Sequence, residues 1–170
     1  MQQEKYYHIG DEEIRSGNIQ MVIEPMWFTV SIYDDEQRYN ADLSKYSLPQ
    51  RYIFAIQWYL AEVYNGGHDQ FFFNSTGIVW RDALEDFRVI GMEKCADILD
   101  EAARRMGGAP SMDREERWEQ QEQYNAEFDD LDSRLYNVDE IELHTAMLDY
   151  MVKNAESFYF DGKIESPAFG

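Results

Sequence analysis

The segment from residue 47 to residue 67 constrains the fold most, because it carries a start signal, an apolar stripe and a stop signal for one helix. Ser47 and Gln50 have the spacing of a capping box, in which each side chain bonds the other residue's backbone N–H. The apolar residues then recur at helical spacing, at Ile53, Ile56, Leu60 and Val63. Gly66 and Gly67 predict the end of this helix, because glycine adopts the left-handed conformation at helix ends without a side-chain penalty.

Helical periodicity recurs along the rest of the chain, over residues 19–33, 80–91, 92–106, 111–136 and 137–155. The apolar segment 19–33 also fits a β-strand, but its length favours a helix with Pro25 in the first turn, where a missing N–H costs little. We therefore predict an all-α fold, a single compact domain of about six helices. The predicted organisation is an N-terminal extension at 1–18, a helical acidic domain at 19–160 and a C-terminal tail at 161–170.

Composition limits the class of protein and of partner. Of 170 residues 44% are hydrophobic, and 10 Phe, 12 Tyr and 4 Trp rings need a compact core to cover them. Asp and Glu number 34 against 15 Lys and Arg, so the formal net charge is −19. Such a charge repels nucleic acid and anionic membranes, so the expected partner is a basic protein. One cysteine, Cys95, and a sequence without a signal-peptide pattern or a spanning apolar run predict a cytoplasmic location.

The polar cluster of His68, Asp69 and Gln70 is the first place to look for catalysis. Adjacent helical side chains point about 100° apart, so Asp69 is poorly placed to orient His68 as a general base. The sequence also nominates no nucleophile beside them. The three histidines include no pair at i,i+4 spacing, and Cys95 has no nearby ligand partner for a metal. We therefore predict no catalytic residue, no bound metal and no cofactor.

Three consecutive phenylalanines, Phe71, Phe72 and Phe73, follow this cluster. Because successive helical side chains diverge, we expect two of the rings to enter the core and one to cover a neighbouring helix. Gln70 and Asn74 lie four residues apart on one helical face, and we expect their amides to bond backbone groups freed at the glycine turn. The stretch is therefore expected to act mainly in folding.

The stretch 64–77, YNGGHDQFFFNSTG, resembles the signature of a bacterial family of small helical acidic proteins named after the nineteenth of a series of DNA mimics. The matching residues are Asn65, Gly66, Gly67, Gln70, Phe71, Phe72, Phe73, Asn74, Ser75 and Gly77. His68 departs from the pattern, which has a large apolar residue there. The resemblance, which extends more loosely over residues 21–160, implies a helical domain that forms a homodimer and binds a helix-turn-helix transcription regulator in place of DNA.

Residues 111–142 form the candidate partner-binding surface, because acids far outnumber Arg114, Arg117 and Arg134 there. The candidate residues are Glu115, Glu116, Glu119, Glu122, Glu127, Asp129, Asp130 and Asp132. Glu115, Glu119 and Glu122 recur at spacings of four and three, which places them on one helical face. The aspartates of the list would lie near the end of a helix spanning 111–136, where they oppose the helix dipole. That placement favours a functional role, although a solvated helix face explains the same charges.

Three functional hypotheses follow. The first is a non-enzymatic DNA mimic whose carboxylates replace phosphates on the DNA-binding surface of a basic regulator. The second is an immunity or antitoxin-like protein that neutralises a basic toxin such as a nuclease. The third, less favoured by the residues, is an enzyme that uses the region of His68. A shared fold does not establish a shared partner, so the resemblance ranks these hypotheses without choosing the partner.

Overall fold

The computed structural model describes residues 3–166, which form nine α-helices, two 3-10 turns and a two-stranded sheet. The helices are α1 Asp11–Arg15, α2 Ile19–Thr29, α3 Glu36–Leu43, α4 Leu48–Phe73, α5 Trp80–Val89, α6 Glu93–Arg105, α7 Arg114–Tyr124, α8 Asp129–Tyr136 and α9 Glu140–Lys153. The 3-10 turns are Ser75–Val79 and Ala155–Phe158, and the strands are β1 Gln3–Ile9 and β2 Phe160–Ser166. The chain is therefore mainly helical, as the sequence predicts.

The prediction of about six helices was too low. Two of the additional helices, α1 and α3, have only five and eight residues, too few to show a repeating apolar stripe. The third arises because the predicted helix at 111–136 divides at Asn125, which has a left-handed φ of 44°. A helix cannot pass through a left-handed residue, so α7 ends there and α8 begins four residues later.

The all-α description also omitted the sheet. Strands β1 and β2 pair antiparallel, from Gln3 opposite Ser166 to Ile9 opposite Phe160. Tyr7, Ile9 and Ile164 are buried, so the sheet joins the core. The strands lie in the segments treated as an extension and a tail; residues 1–2 and 167–170 of those segments lie outside the described residues. The proposed domain boundaries remain a prediction.

Helix α4 is the centre of the fold and contacts α2, α5, α7 and α8. It starts at the predicted capping box, in which Ser47 Oγ accepts the N–H of Gln50 at 3.3 Å and Gln50 Oε1 accepts that of Ser47 at 2.9 Å. Its predicted apolar stripe is buried, at Ile53, Ile56, Leu60 and Val63. Although α4 has 26 residues, no helix within residues 3–166 combines the length and apolar character needed to cross a bilayer.

The apolar segment near the N-terminus is a helix, α2, and not the alternative strand. Pro25 lies in the interior of α2, so the prediction that it occupies the first turn was wrong. A proline there removes one helical hydrogen bond. The carbonyl of Pro25 itself accepts the hydroxyl of Thr29 at 2.8 Å and that of Tyr46 at 3.3 Å. Pro25 is buried within α2. Its interior position is therefore set by tertiary packing and not by local helix preference.

Candidate partner-binding surface

Helix α4 bends at the glycine pair of the signature. Gly66 has φ −151° and ψ 16°, and Gly67 has φ +76° and ψ 179°, so neither is helical. The glycines end the first part of α4 as predicted, and a short second part continues to Phe73. A Cβ on Gly66 would overlap the Gln70 side chain, and a Cβ on Gly67 would overlap the Asp132 carboxylate. Both glycines therefore leave room for a polar side chain.

The amides of Gln70 and Asn74 meet at one carboxylate. Gln70 Nε2 and Asn74 Nδ2 donate to Glu62 Oε1 at 2.5 Å and 2.8 Å. The expectation that these amides bond backbone groups at the turn was wrong, because Glu62 lies on the first part of α4 and the bend brings it back over the second part. Glu62 is eight residues before Gln70 and twelve before Asn74, and helical periodicity does not predict contacts at these spacings across a bend. Asn65, the first residue of the signature, is exposed.

His68 is fully buried and joins α4 to α8. Its Nδ1 lies 2.5 Å from Asp132 Oδ1, which also accepts the backbone N–H of His68 at 2.9 Å. Its Nε2 lies 2.8 Å from the hydroxyl of Tyr59, whose pKa burial raises well above the ordinary value. A neutral Tyr59 therefore donates to Nε2 and the Nδ1 proton faces Asp132. Asp69, considered above as the orienting acid, is exposed and accepts the Gln121 amide at 2.9 Å.

Tyr59, His68 and Asp132 are linked in the same sequence of hydroxyl, imidazole and carboxylate as a catalytic triad. Unlike the histidine of a triad, His68 is not accessible to a substrate. The Phe128 ring also packs against His68, with ring centroids 5.9 Å apart. A general base must reach a substrate proton directly or through one water. Because His68 is completely covered, the arrangement acts as a link between helices. Among the described residues, no group of three or more His, Cys, Asp or Glu side chains is arranged to hold a metal ion.

Helix α7 caps the end of α4 through a buried guanidinium. Arg117 is fully buried and donates from Nε to the Phe72 carbonyl at 2.9 Å and from NH2 to the Asn74 carbonyl at 2.8 Å. Its NH1 donates to Ser111 O at 2.9 Å and Met112 O at 3.1 Å. Burial lowers its pKa to about 10, so Arg117 is charged at neutral pH. A cation at a helix C-terminus stabilises the carbonyls left free there.

Gly77 and Phe73 complete the contact between α4 and α7. A Cβ on Gly77 would displace the Arg117 side chain, so the last glycine of the signature makes room for that cation. Phe73 is half exposed and stacks on Trp118 of α7, with centroids 5.1 Å apart, whereas Phe71 and Phe72 are buried. The expected division of the three rings is confirmed. Trp118 Nε1 also donates to the Phe73 carbonyl at 2.7 Å.

The charge pattern of α8 corrects one sequence argument. Asp129, Asp130 and Asp132 lie in the first turn of α8, because the helix begins at Asp129. Acids in a first turn interact favourably with the helix dipole. The argument that these aspartates oppose the dipole, and so point to function, was therefore wrong. The signal missed was Asn125, a residue type that tolerates the left-handed conformation.

The structure divides the eight candidate acids into two groups. Three are engaged internally: Glu116 accepts the Ser111 hydroxyl at 2.5 Å, Asp130 binds Arg105 through both oxygens at 2.6 and 2.8 Å, and Asp132 binds His68. The Arg105 guanidinium lowers the pKa of Asp130 to about 2. The other five side chains are exposed and, within residues 3–166, have no hydrogen bond or ion pair: Glu115, Glu119, Glu122, Glu127 and Asp129. These five are called the free carboxylates below.

The free carboxylates have acidic neighbours on another part of the chain. A cleft separates the N-terminus of α7 from the loop between α2 and α3. Asp34 and Asp35 line this cleft together with Asp113 and Glu115, and Arg114 and Arg117 also lie in its wall. The loop and α7 are about 80 residues apart in sequence, so their proximity was not predictable from residues 111–142 alone.

Comparison with known proteins agrees with the family resemblance. The family model described as DMP19-like protein matches residues 44–154, which is 111 of the 170 residues. The match is narrower than the looser likeness over 21–160 and includes the signature, α7 and α8. No curated protein and no solved structure matched the chain. Because the family model covers more than half of the chain, the protein belongs to the DMP19-like family.

Proposed function

We propose that this protein is a non-enzymatic DNA mimic that occupies the DNA-binding surface of a basic regulator of the helix-turn-helix type. Membership of the DMP19-like family supports the class of function. The free carboxylates carry the proposal for this chain, because they are exposed charges that no contact within the described residues neutralises. In the complex they would take the places of DNA phosphates opposite lysines and arginines of the partner.

Rigid support for the free carboxylates favours this role over simple solvation. Helix α7 is fastened to the end of α4 by Arg114, Arg117 and Trp118, which all donate to carbonyls of residues 72–74. Helix α8 is fastened to the bend of α4 by Asp132. Four of the five free carboxylates lie on these two helices, and Glu127 lies in the loop between them. Charges held on fixed helices lose less conformational freedom on binding than charges on loops. A solubility device needs no such fastening.

The proposal also includes the absence of catalysis, a cytoplasmic location and a homodimer. Complete burial of His68 supports a non-enzymatic role. A cytoplasmic location fits the single cysteine, Cys95, which is buried and whose pKa burial raises to about 12, so that it stays an unreactive thiol. A homodimer is implied by the family resemblance. Trp118 and Tyr124 are exposed on α7 and are the aromatic side chains that a dimer contact at this surface would cover.

The test compares two variants of equal charge. The surface variant neutralises the free carboxylates by Glu115→Gln, Glu119→Gln, Glu122→Gln, Glu127→Gln and Asp129→Asn. The control variant neutralises five exposed acids on other helices, by Glu12→Gln, Glu36→Gln, Glu85→Gln, Glu93→Gln and Asp149→Asn. Each variant changes the formal charge from −19 to −14, since five negative charges are removed.

Immobilised wild type and both variants are incubated with lysate of the source cell, and retained proteins are identified by mass spectrometry after washes at about 0.1 M and about 0.5 M salt. We expect a DNA-binding regulator that salt or duplex DNA releases, with at least about tenfold weaker retention on the surface variant and little change on the control variant. Equal loss on both variants would show attraction by net charge alone and contradict the proposal. A nuclease-like toxin that duplex DNA does not release would favour the immunity hypothesis instead.

A further inference from the structure

One carboxyl group in the core has no partner. Asp86 lies in α5 and is 0% exposed, and neither of its carboxyl oxygens has a hydrogen-bond partner within the described residues. A buried ionised carboxylate normally has a cation or several donors beside it, because its desolvation is otherwise very costly. Asp86 is not part of the candidate partner-binding surface, so that surface does not explain why its carboxyl group is buried without a partner.

The charge that acts on the Asp86 carboxyl is that of another acid, Asp82, on the same helix. The neighbouring ionisable groups are Asp82 on α5, Tyr52 on α4, Tyr150 on α9 and, bonded to Asp82 at 3.3 Å, Tyr39 on α3. The 3-10 turn Ser75–Val79 has no ionisable side chain. The buried face of α6 is apolar except for the neutral thiol of Cys95. Two cations act on these neighbours: Arg51 on α4 acts on Asp82, Tyr52 and Tyr39, and Arg81 on α5 acts on Asp82.

Burial and then the charge of Asp82 raise the pKa of Asp86 to about 8. At neutral pH the group is therefore a carboxylic acid in the folded chain. In an unfolded chain an aspartate has a pKa of about 3.9 and is ionised at the same pH. Folding near neutral pH thus takes up a proton at this residue.

We propose that Asp86 is a pH-sensitive switch in the packing of α5, in which the uncharged acid belongs to the closed core and the carboxylate loosens the contact of α5 with α4. The position of Asp86 allows its ionisation to affect other helices. Helix α5 packs along α4, directly after the 3-10 turn that follows the signature, so a displacement of α5 acts on the helix that also anchors α7 and α8. The proposal is independent of what the free carboxylates bind.

The sign of the pH dependence follows from the raised pKa. Below about pH 4 the group is protonated in both states and makes no difference to stability. As pH rises, the unfolded state ionises first, so stability falls until the folded state also ionises near pH 8. Between about pH 5 and about pH 8, this residue alone lowers the ratio of folded to unfolded protein about tenfold per pH unit.

The test uses the full chain and two single variants, Asp86→Asn and, as the control, Asp97→Asn at an exposed position on α6. Urea unfolding is measured from about pH 5 to about pH 9. We expect the folded-to-unfolded ratio of Asp86→Asn, relative to wild type, to rise about tenfold per pH unit and to level off above about pH 8. The control is expected to show a ratio independent of pH. A ratio for Asp86→Asn that does not change with pH would overturn the proposal.

Carboxyl-labelled aspartate gives a second measurement on the wild-type protein, which holds even if Asp86→Asn does not fold. We expect one carboxyl carbon resonance to titrate near pH 8, accompanied by faster amide exchange in α5 above that pH than below it, after correction for intrinsic rates. Titration of every aspartate resonance below about pH 5 would overturn the switch. So would titration near pH 8 without any change of α5 exchange.

Discussion

At the scale of single residues, the glycines of the signature leave space for neighbouring side chains. Each of these glycines faces a polar side chain that a methyl group would displace: Gly66 faces Gln70, Gly67 faces Asp132 and Gly77 faces Arg117. Each of those side chains ties α4 to another part of the fold or back to itself. The glycines are therefore needed for contact as well as for backbone conformation.

Replacement of Gly67 by alanine tests this distinction. Gly67 and Gly91 both have positive φ, 76° and 82°, but a Cβ on Gly67 would overlap Asp132 whereas no atom lies within 4 Å of a Cβ on Gly91. Gly91→Ala is expected to lower the free energy of unfolding by about 1 kcal/mol through backbone strain. Gly67→Ala is expected to cost at least about 1 kcal/mol more, because ψ 179° places Gly67 in a region that side chains disfavour and because the added Cβ displaces Asp132. Equal losses in urea denaturation would show that the Asp132 contact has no separate role.

At the scale of helices, the buried Tyr59–His68–Asp132 link fixes α8 against the bend of α4. His68 makes this contact through hydrogen bonds, with its side chain fully buried. Buried polar groups of this kind are stable only when each has its partner. The two partners should therefore be energetically coupled.

A double-mutant cycle measures that coupling. His68→Phe leaves Asp132 without its imidazole partner, and Asp132→Ala leaves the imidazole without its acceptor. Each single variant is expected to lower the free energy of unfolding, and the double variant by less than the sum, with a coupling of about 1–3 kcal/mol. The same cycle on Asp130 and Arg105, an exposed pair, is the control and should give at most about 1 kcal/mol. Additive effects at His68 and Asp132 would contradict the link.

At the scale of the whole molecule, a net charge of −19 acts on the folded state as self-repulsion. Of the nine ion pairs within residues 3–166, seven involve Lys or Arg, and these seven engage only six acids, so most of the 34 acids have no ion pair with Lys or Arg there. Repulsion of this kind is long-ranged and is screened by salt. Stability and partner binding should therefore respond to salt in opposite directions.

The melting temperature gives the test. Raising salt from about 0.01 M to about 0.5 M is expected to raise the melting temperature of the wild type, because the screening length falls from about 30 Å to a few Å. The surface and control variants should melt higher than wild type at low salt, by similar amounts, and the difference should shrink at high salt. Potassium chloride in place of sodium chloride controls for specific ion binding. A wild-type melting temperature that falls with salt would show that attractive pairs outweigh repulsion.

Local sequence patterns predicted the features that depend on interactions between residues close together in the sequence. The capping box at Ser47, the apolar stripe of α4 and the left-handed glycine after it depend on residues within a few positions of one another, and each was predictable. The division of Phe71, Phe72 and Phe73 between core and surface follows in the same way from the angle between successive helical residues.

The sequence by itself therefore determined the helical class, the family and the acidic character of the protein. Only the tertiary structure decided which carboxylates are free and which are used inside the fold. It joined Glu62 to the signature amides, Asp132 to His68 and Arg117 to the end of α4, and it paired two strands more than 150 residues apart. Such contacts form because the buried polar groups of one element must find partners on another, and nothing in the spacing of either element states which partner that is.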